Sequence, residues 1–160
     1  VRAISAPIGR IATCIRPRRG GAGALWQGGI KPLAERGPCV YEPTDVGAVA
    51  LLAAEDAADA RVHVAAPVLY RLPLVDAGSD LDFLPDLHDV AREMAEQIEY
   101  GQSVATLCYE GRNRSGLLSG LILWELGYDG RDAVRLIRER RKRQSLSTQA
   151  FADYLRSLVA

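Results

Sequence analysis

The chain has 160 residues, 48% of them hydrophobic and 25% charged, which suits one globular domain with its own core. Its 20 basic residues offset its 20 acidic ones, so no global charge draws it to nucleic acid or to an anionic membrane. No apolar run approaches spanning length and no signal-peptide pattern opens the chain. The three widely spaced cysteines form neither a disulfide framework nor a zinc pattern. A reduced, cytoplasmic setting is therefore expected. Lysine occurs only at Lys31 and Lys142 while arginine is abundant, a codon bias expected of a GC-rich bacterial genome.

Residues Val1 to Gly23 mix apolar alternation with Arg16, Arg18 and Arg19 and with Gly20, Gly21 and Gly23. Ile11–Ile15 reads as a short strand and the Pro-Arg-Arg-Gly-Gly run after it as a turn, so 1–23 is expected to be a mobile basic segment. Ala24–Gly29 reads as a strand, with Trp26 in the core. The proline-punctuated stretch Ile30–Pro43 reads mostly as loop, with a brief extended segment from Cys39. The alanines of Asp45–Ala60 favour helix, but its compact apolar run Ala48–Leu52 equally suits a buried parallel strand. His63 alternates with Val62 and Val64 as a half-exposed strand or loop residue. Val68–Val75 reads as a strand running into a loop that holds Asp76, Asp80 and Asp82.

A helix follows. Pro85 suits its first turn, Leu84, Leu87, Val90, Ala91, Met94 and Ile98 form its apolar stripe, and Gly101 ends it. His88 falls on the border of the stripe, where a surface role is expected. The run Ser103–Leu107 then reads as a strand. A helix from Ser115 to Gly127 is apolar on most faces, as a central buried helix would be. A helix over 130–143 ends in a basic cluster, read either as a solvated terminus or as a positive rim for a phosphorylated substrate. Ser147 or Thr148 can cap a last helix bearing Phe151, Tyr154, Leu155 and Leu158.

The chemistry concentrates between the strand ending at Leu107 and the helix from Ser115. A helix N-terminus presents free N–H groups and a positive dipole end, which attract an anion and favour a thiolate. Cys108 opens this loop, and Arg114 closes it with a guanidinium able to clamp an oxyanion. A nucleophilic sulfur on the floor of an anion cradle is a device for phosphoryl transfer through a cysteinyl-phosphate. The Cys-to-Arg spacing alone carries little weight in so arginine-rich a chain. Gly111 at the bend, Ser115 after the arginine and Gly116 at the helix start narrow the reading.

The expected roles follow. Cys108 attacks phosphorus. Arg114 and the amides of Tyr109, Glu110, Gly111, Arg112 and Asn113 bind the equatorial oxygens. Ser115 hydrogen-bonds the sulfur. Glu110 and Asn113 brace the loop, with Glu110 able to pair with Arg114. Arg112 either touches substrate or is solvated. One carboxylic acid can protonate the leaving oxygen and then activate water. Asp76 is the first candidate because it stands directly after a strand, at the sheet edge where Cys108 also lies. Asp80 and Asp82 are the alternatives, and all three could be plain loop charges. Neither a metal nor another cofactor is required, because the arginine and amides supply the positive field. Cys14 or Cys39 could form a reversible disulfide with Cys108.

The segment Leu107-Cys108-Tyr109-Glu110-Gly111-Arg112-Asn113-Arg114-Ser115 resembles the loop His-Cys-x-x-Gly-x-x-Arg-Ser/Thr of the cysteine-dependent protein tyrosine phosphatase superfamily, in particular its small dual-specificity members. Every position matches except the first, where Leu107 cannot donate the hydrogen bond of the family's histidine. The resemblance implies an α/β fold in a single domain over 1–160: a central, mostly parallel sheet of four or five strands with helices on both faces. It favours a strand near Val49–Leu52, a helical turn around Glu55–Ala60, and Asp76 as the acid. The implied function is hydrolysis of phosphomonoesters, of protein phosphotyrosine and/or phosphoserine/threonine. The partner is then a phosphorylated protein or a small phosphomonoester. Alternatives are a phosphate-binding pseudophosphatase, marked by Leu107, a phosphoinositide or inositol-phosphate phosphatase, and a rhodanese-like sulfurtransferase.

Overall fold

Short β-prone runs punctuated by glycine and proline build two sheets rather than one. The computed structural model describes residues 1–54 and 61–160. Strands β2 (Ala12–Arg16), β3 (Leu25–Gly29), β5 (Ala48–Leu51), β7 (Val68–Arg71) and β8 (Val104–Cys108) form a five-stranded sheet in the order β2-β3-β8-β5-β7. Only the edge strand β2 runs antiparallel to its neighbour. Strands β1 (Arg2–Ala6), β4 (Cys39–Pro43) and β6 (Val62–Val64) form a second, parallel three-stranded sheet in the order β1-β4-β6. Among the described residues the α-helices are α1 (Lys31–Ala34), α2 (Leu84–Glu99), α3 (Arg114–Glu125), α4 (Gly130–Arg140) and α5 (Gln149–Arg156).

The central strand β8 is buried along its whole length, and its alternating side chains divide two cores. Val104 and Cys108 face α2 to α5, where Leu87, Met94, Leu117, Leu121, Ile137, Phe151 and Leu155 pack. Ala105 and Leu107 face α1 and the small sheet, among Leu33, Tyr41, Val62 and Val64. Burying each large apolar side chain contributes roughly 1.5–3 kcal/mol. The mostly parallel sheet flanked by helices on both faces is the expected architecture, with the small sheet as an addition.

That addition changes how the N-terminal third is read. Within 1–23, expected to be a mobile basic segment, the strand read at Ile11–Ile15 is found as β2, but the segment also supplies β1, and Gly23 N–H donates to Ile98 O at 2.8 Å. The stretch expected to be mostly loop after residue 30 contains α1 and β4. The Ala48–Leu52 run resolves as a strand because it lies between β8 and β7 and is buried on both faces. The helical turn expected around Glu55–Ala60 lies outside the described residues. Helix α4 ends at Arg140, three residues before the expected end. Among the described residues no helix is long and apolar enough to cross a membrane.

Candidate active site

Strand β8 stops at Cys108 and α3 begins at Arg114, so five residues turn the chain between them. The carbonyls of this turn face outward. Cys108 O accepts from Ile30 N–H at 3.0 Å, Tyr109 O from Lys31 N–H at 2.9 Å, and Arg112 O from Leu146 N–H at 3.1 Å. Glu110 O accepts from Arg141 at 3.2 Å, and Gly111 O from Gln27 Nε2 and Arg141 Nε, both at 3.1 Å. With five successive carbonyls engaged outside, the amides are left to face the concave side. Gly111 makes the bend possible: its φ is +76°, and a Cβ there would lie 2.4 Å from the Gly28 carbonyl carbon.

The sulfur sits at the floor of this turn. Cys108 is 2% exposed. Its Sγ receives the Gly111 N–H at 3.2 Å and lies 3.2 Å from Ser115 Oγ, which accepts from a thiol and donates to a thiolate. The N-terminal turn of α3 starts beside it, adding its dipole to the same spot. Arg114, 7% exposed, donates through Nη1 to Leu74 O at 3.1 Å, which ties the loop to the segment carrying Asp76.

Asp76 adopts a left-handed conformation, φ +67°, and its carboxylate is exposed above the loop. Asn113 Nδ2 donates to its Oδ2 at 3.1 Å and Thr148 Oγ1 to its Oδ1 at 2.6 Å. Asp80 does something different. It is 1% exposed and accepts the N–H groups of Val75 at 2.8 Å, Asp76 at 2.8 Å and Ala77 at 3.3 Å, so it folds the loop that presents Asp76. Asp82 is exposed and lines no part of the cavity. That cavity, about 480 Å³, brings together Asp76, Cys108, Tyr109, Glu110, Arg112, Asn113 and Arg114, closed on one side by Val75 and Ser147. Ser115 touches the sulfur from beneath. Glu110 pairs with Lys31 and Arg112, each at 3.4 Å, on the outer rim.

Leu107 points away from the sulfur. It is fully buried in the core beneath the small sheet, so a side chain at this position meets apolar neighbours. Cys39 packs in that same core, on the opposite face of the sheet from Cys108. Cys14 lies on the edge strand, two strands from β8, and burial pushes its thiol pKa up. Neither lines the Cys108 cavity. Among the described residues no group of three or more His, Cys, Asp or Glu side chains converges as a metal site.

Sequence reasoning missed the brace behind the loop. Arg141, at the C-cap of α4, turns inward and grips Glu110 O, Gly111 O and Thr13 Oγ1, the last at 3.0 Å. Burial pushes its guanidinium pKa down, opposed by the charge Cys108 can carry and reinforced by Arg112. Arg138 likewise donates to Ser145 O and Leu146 O, both at 3.0 Å, so part of the basic cluster is structural. A signal existed in Gln27-Gly28-Gly29, since a strand ending in two glycines marks a close backbone approach. A Cβ on Gly29 would lie 2.6 Å from Tyr109 O.

No family model and no curated protein matches the chain. Solved structures do. Human DUSP28 superposes with a TM-score of 0.68 at 16% identity, covering 95% of each chain. A mouse putative dual specificity phosphatase complexed with zinc tungstate gives 0.64 at 17% identity, covering 91% of this chain and 86% of that one. The human tyrosine phosphatase-like serine/threonine/tyrosine-interacting protein gives 0.63 at 16% identity, covering 91% and 93%. At such identities the likeness is one of fold, and the fold is that of the cysteine-dependent phosphatases.

Proposed function

We propose that the chain hydrolyses phosphomonoesters of phosphorylated proteins through a cysteinyl-phosphate on Cys108. One observation carries the reading: a sulfur that accepts a loop amide and contacts a hydroxyl lies on the floor of a cavity shared with Arg114 and Asp76. The sulfur attacks phosphorus and the phosphoryl oxygens settle against the inward amides and the Arg114 guanidinium, where transition-state charge is matched. Asp76 gives its proton to the leaving oxygen as the P–O bond breaks. The resulting carboxylate then takes a proton from water as that water displaces sulfur from phosphorus. Ser115 hydroxyl donates to the departing thiolate. The cavity of about 480 Å³ has room for an alkyl or an aryl phosphate, which is the basis for reading dual specificity. A reducing compartment suits the thiol.

A second reading, which the sequence alone raises, is a domain that binds phosphorylated partners without turnover: Leu107 lacks the donor of the family's loop, although its side chain is buried on the face away from the sulfur. Hydrolysis of an aryl phosphate by the wild type and by Cys108→Ser decides between them. Turnover abolished by the serine is the expected result. Tight binding of a phosphopeptide with no turnover in the wild type would establish the second reading instead.

A further inference from the structure

Among the described residues three helices begin with residues of the preferred capping types, and while Asp129 caps α4 through the Arg131 N–H, the other two residues do not cap their helices. Asn113 is the N-cap of α3 and Thr148 the N-cap of α5, and no side-chain cap hydrogen bond is made at either. Thr148 turns its hydroxyl to Asp76, while Asn113 gives its Oδ1 to the Ser147 N–H and its Nδ2 to Asp76. Asp76 itself holds a left-handed backbone conformation that a non-glycine residue adopts at a cost. Two local preferences, the Thr148 cap and the backbone region of Asp76, are thus given up at one contact, and the contact orders a carboxylate in the cavity that Cys108 also lines.

From this convergence we infer that Asn113 and Thr148 are positioning residues for proton transfer, holding Asp76 so that Oδ1 is the oxygen that carries the proton. The inference rests on reading Asp76 as the acid. The orientation of the Asn113 amide follows from its surroundings. Its Oδ1 faces the backbone N–H of Ser147 at 2.8 Å, a group that can only donate, so Nδ2 is the atom aimed at Asp76. Ser147 Oγ, at 3.2 Å, sits on the same Asn113 oxygen. An amide N–H cannot become an acceptor, so Asp76 Oδ2 stays an acceptor in both protonation states. Thr148 Oγ1 can reverse, because a hydroxyl both donates and accepts. When Asp76 is protonated the hydrogen resides on Oδ1. As the P–O bond breaks, the O–H bond at Oδ1 breaks with it and the proton passes to the leaving oxygen. Thr148 then donates to the new carboxylate, which is the arrangement found. In the second step Oδ1 takes the proton from water and Thr148 turns back.

The test compares kcat/KM for an alkyl phosphate, whose leaving group needs the proton, with that for a p-nitrophenyl phosphate, whose leaving group hardly does. Asp76→Asn, Thr148→Val, Thr148→Ser and the double variant D76N/T148V are assayed together. Thr148→Val is expected to lower the alkyl-to-aryl ratio about tenfold, and Thr148→Ser to restore it. Thr148→Val should add nothing further in the Asp76→Asn background. If Thr148→Val does not fold, Asn113→Ala is read by the same ratio. An unchanged ratio in Thr148→Val, or no rescue by serine, overturns the positioning role while leaving Asp76 as the acid. An alkyl-to-aryl ratio left unchanged by Asp76→Asn, or a wild type without turnover, removes the acid reading and this inference with it.

Discussion

The two sides of the Cys108 loop are built by different means. The back is packed: Gln27 is fully buried, two strand glycines lie against the turn, and Arg141 donates to two successive carbonyls. The front is open, and Asp76 faces the cavity shared with the sulfur on side-chain hydrogen bonds from half-buried partners. Packing in a dense interior fixes position to fractions of an ångström and resists change. Exposed hydrogen bonds each contribute only about 0.5–1.5 kcal/mol net. The nucleophile is therefore expected to be rigid and intolerant of substitution, and the acid adjustable.

The severest way to break the back is at Gly111. An alanine there would need a positive φ, and its Cβ would meet the Gly28 backbone at 2.4 Å. The loop must move, the amides lose their convergence, and kcat should fall about a thousandfold or more, read by steady-state hydrolysis of an aryl phosphate. Next is Arg141→Ala, which removes charge-assisted hydrogen bonds to Glu110 O and Gly111 O. Such bonds contribute roughly 1.5–3 kcal/mol, so kcat/KM should fall about 10- to 100-fold. Arg141→Lys should recover only part, because one ammonium cannot reach three acceptors with a planar fork's geometry. The smallest effect on activity sharpens the comparison. Leu107→His supplies the side chain found in the phosphatase loop, but it points into the core beneath the small sheet. Activity per folded molecule should change less than about threefold, while denaturant unfolding shows a loss of about 1–3 kcal/mol from burying the imidazole. A large gain in kcat would mean that position 107 acts on the sulfur after all.

Most of what local physics controls was legible in the chain. The strand before Cys108, the helix after it and the apolar stripe of α2 all follow from short-range pattern, whereas the strand expected to reach Val75 ends at Arg71, so Asp76 sits on a loop and not directly after a strand. What was illegible depends on distant partners. Nothing near residues 2–6 announces that they pair with β4, and nothing near β4 announces β6. Asp80 and Asp76 look alike in sequence, and only the fold shows that one carboxylate faces its own loop amides while the other faces the cavity. Thr148 reads as an ordinary helix cap and Asn113 as a brace within its own loop, since the acceptor that both side chains reach is a residue 37 positions from Asn113 and 72 from Thr148. Arg141 was lost in a basic cluster because a charge run gives no hint of which member turns inward.

The central claim is that phosphorus bonds to the sulfur of Cys108. Rapid acid quench of the wild type during turnover of a radiolabelled aryl phosphate, followed by peptide mapping, tests it directly. The account predicts label on the peptide containing Cys108, held through a P–S bond as S-phosphocysteine and absent from Cys108→Ser. Label on another residue, or turnover that persists in Cys108→Ser, would contradict it.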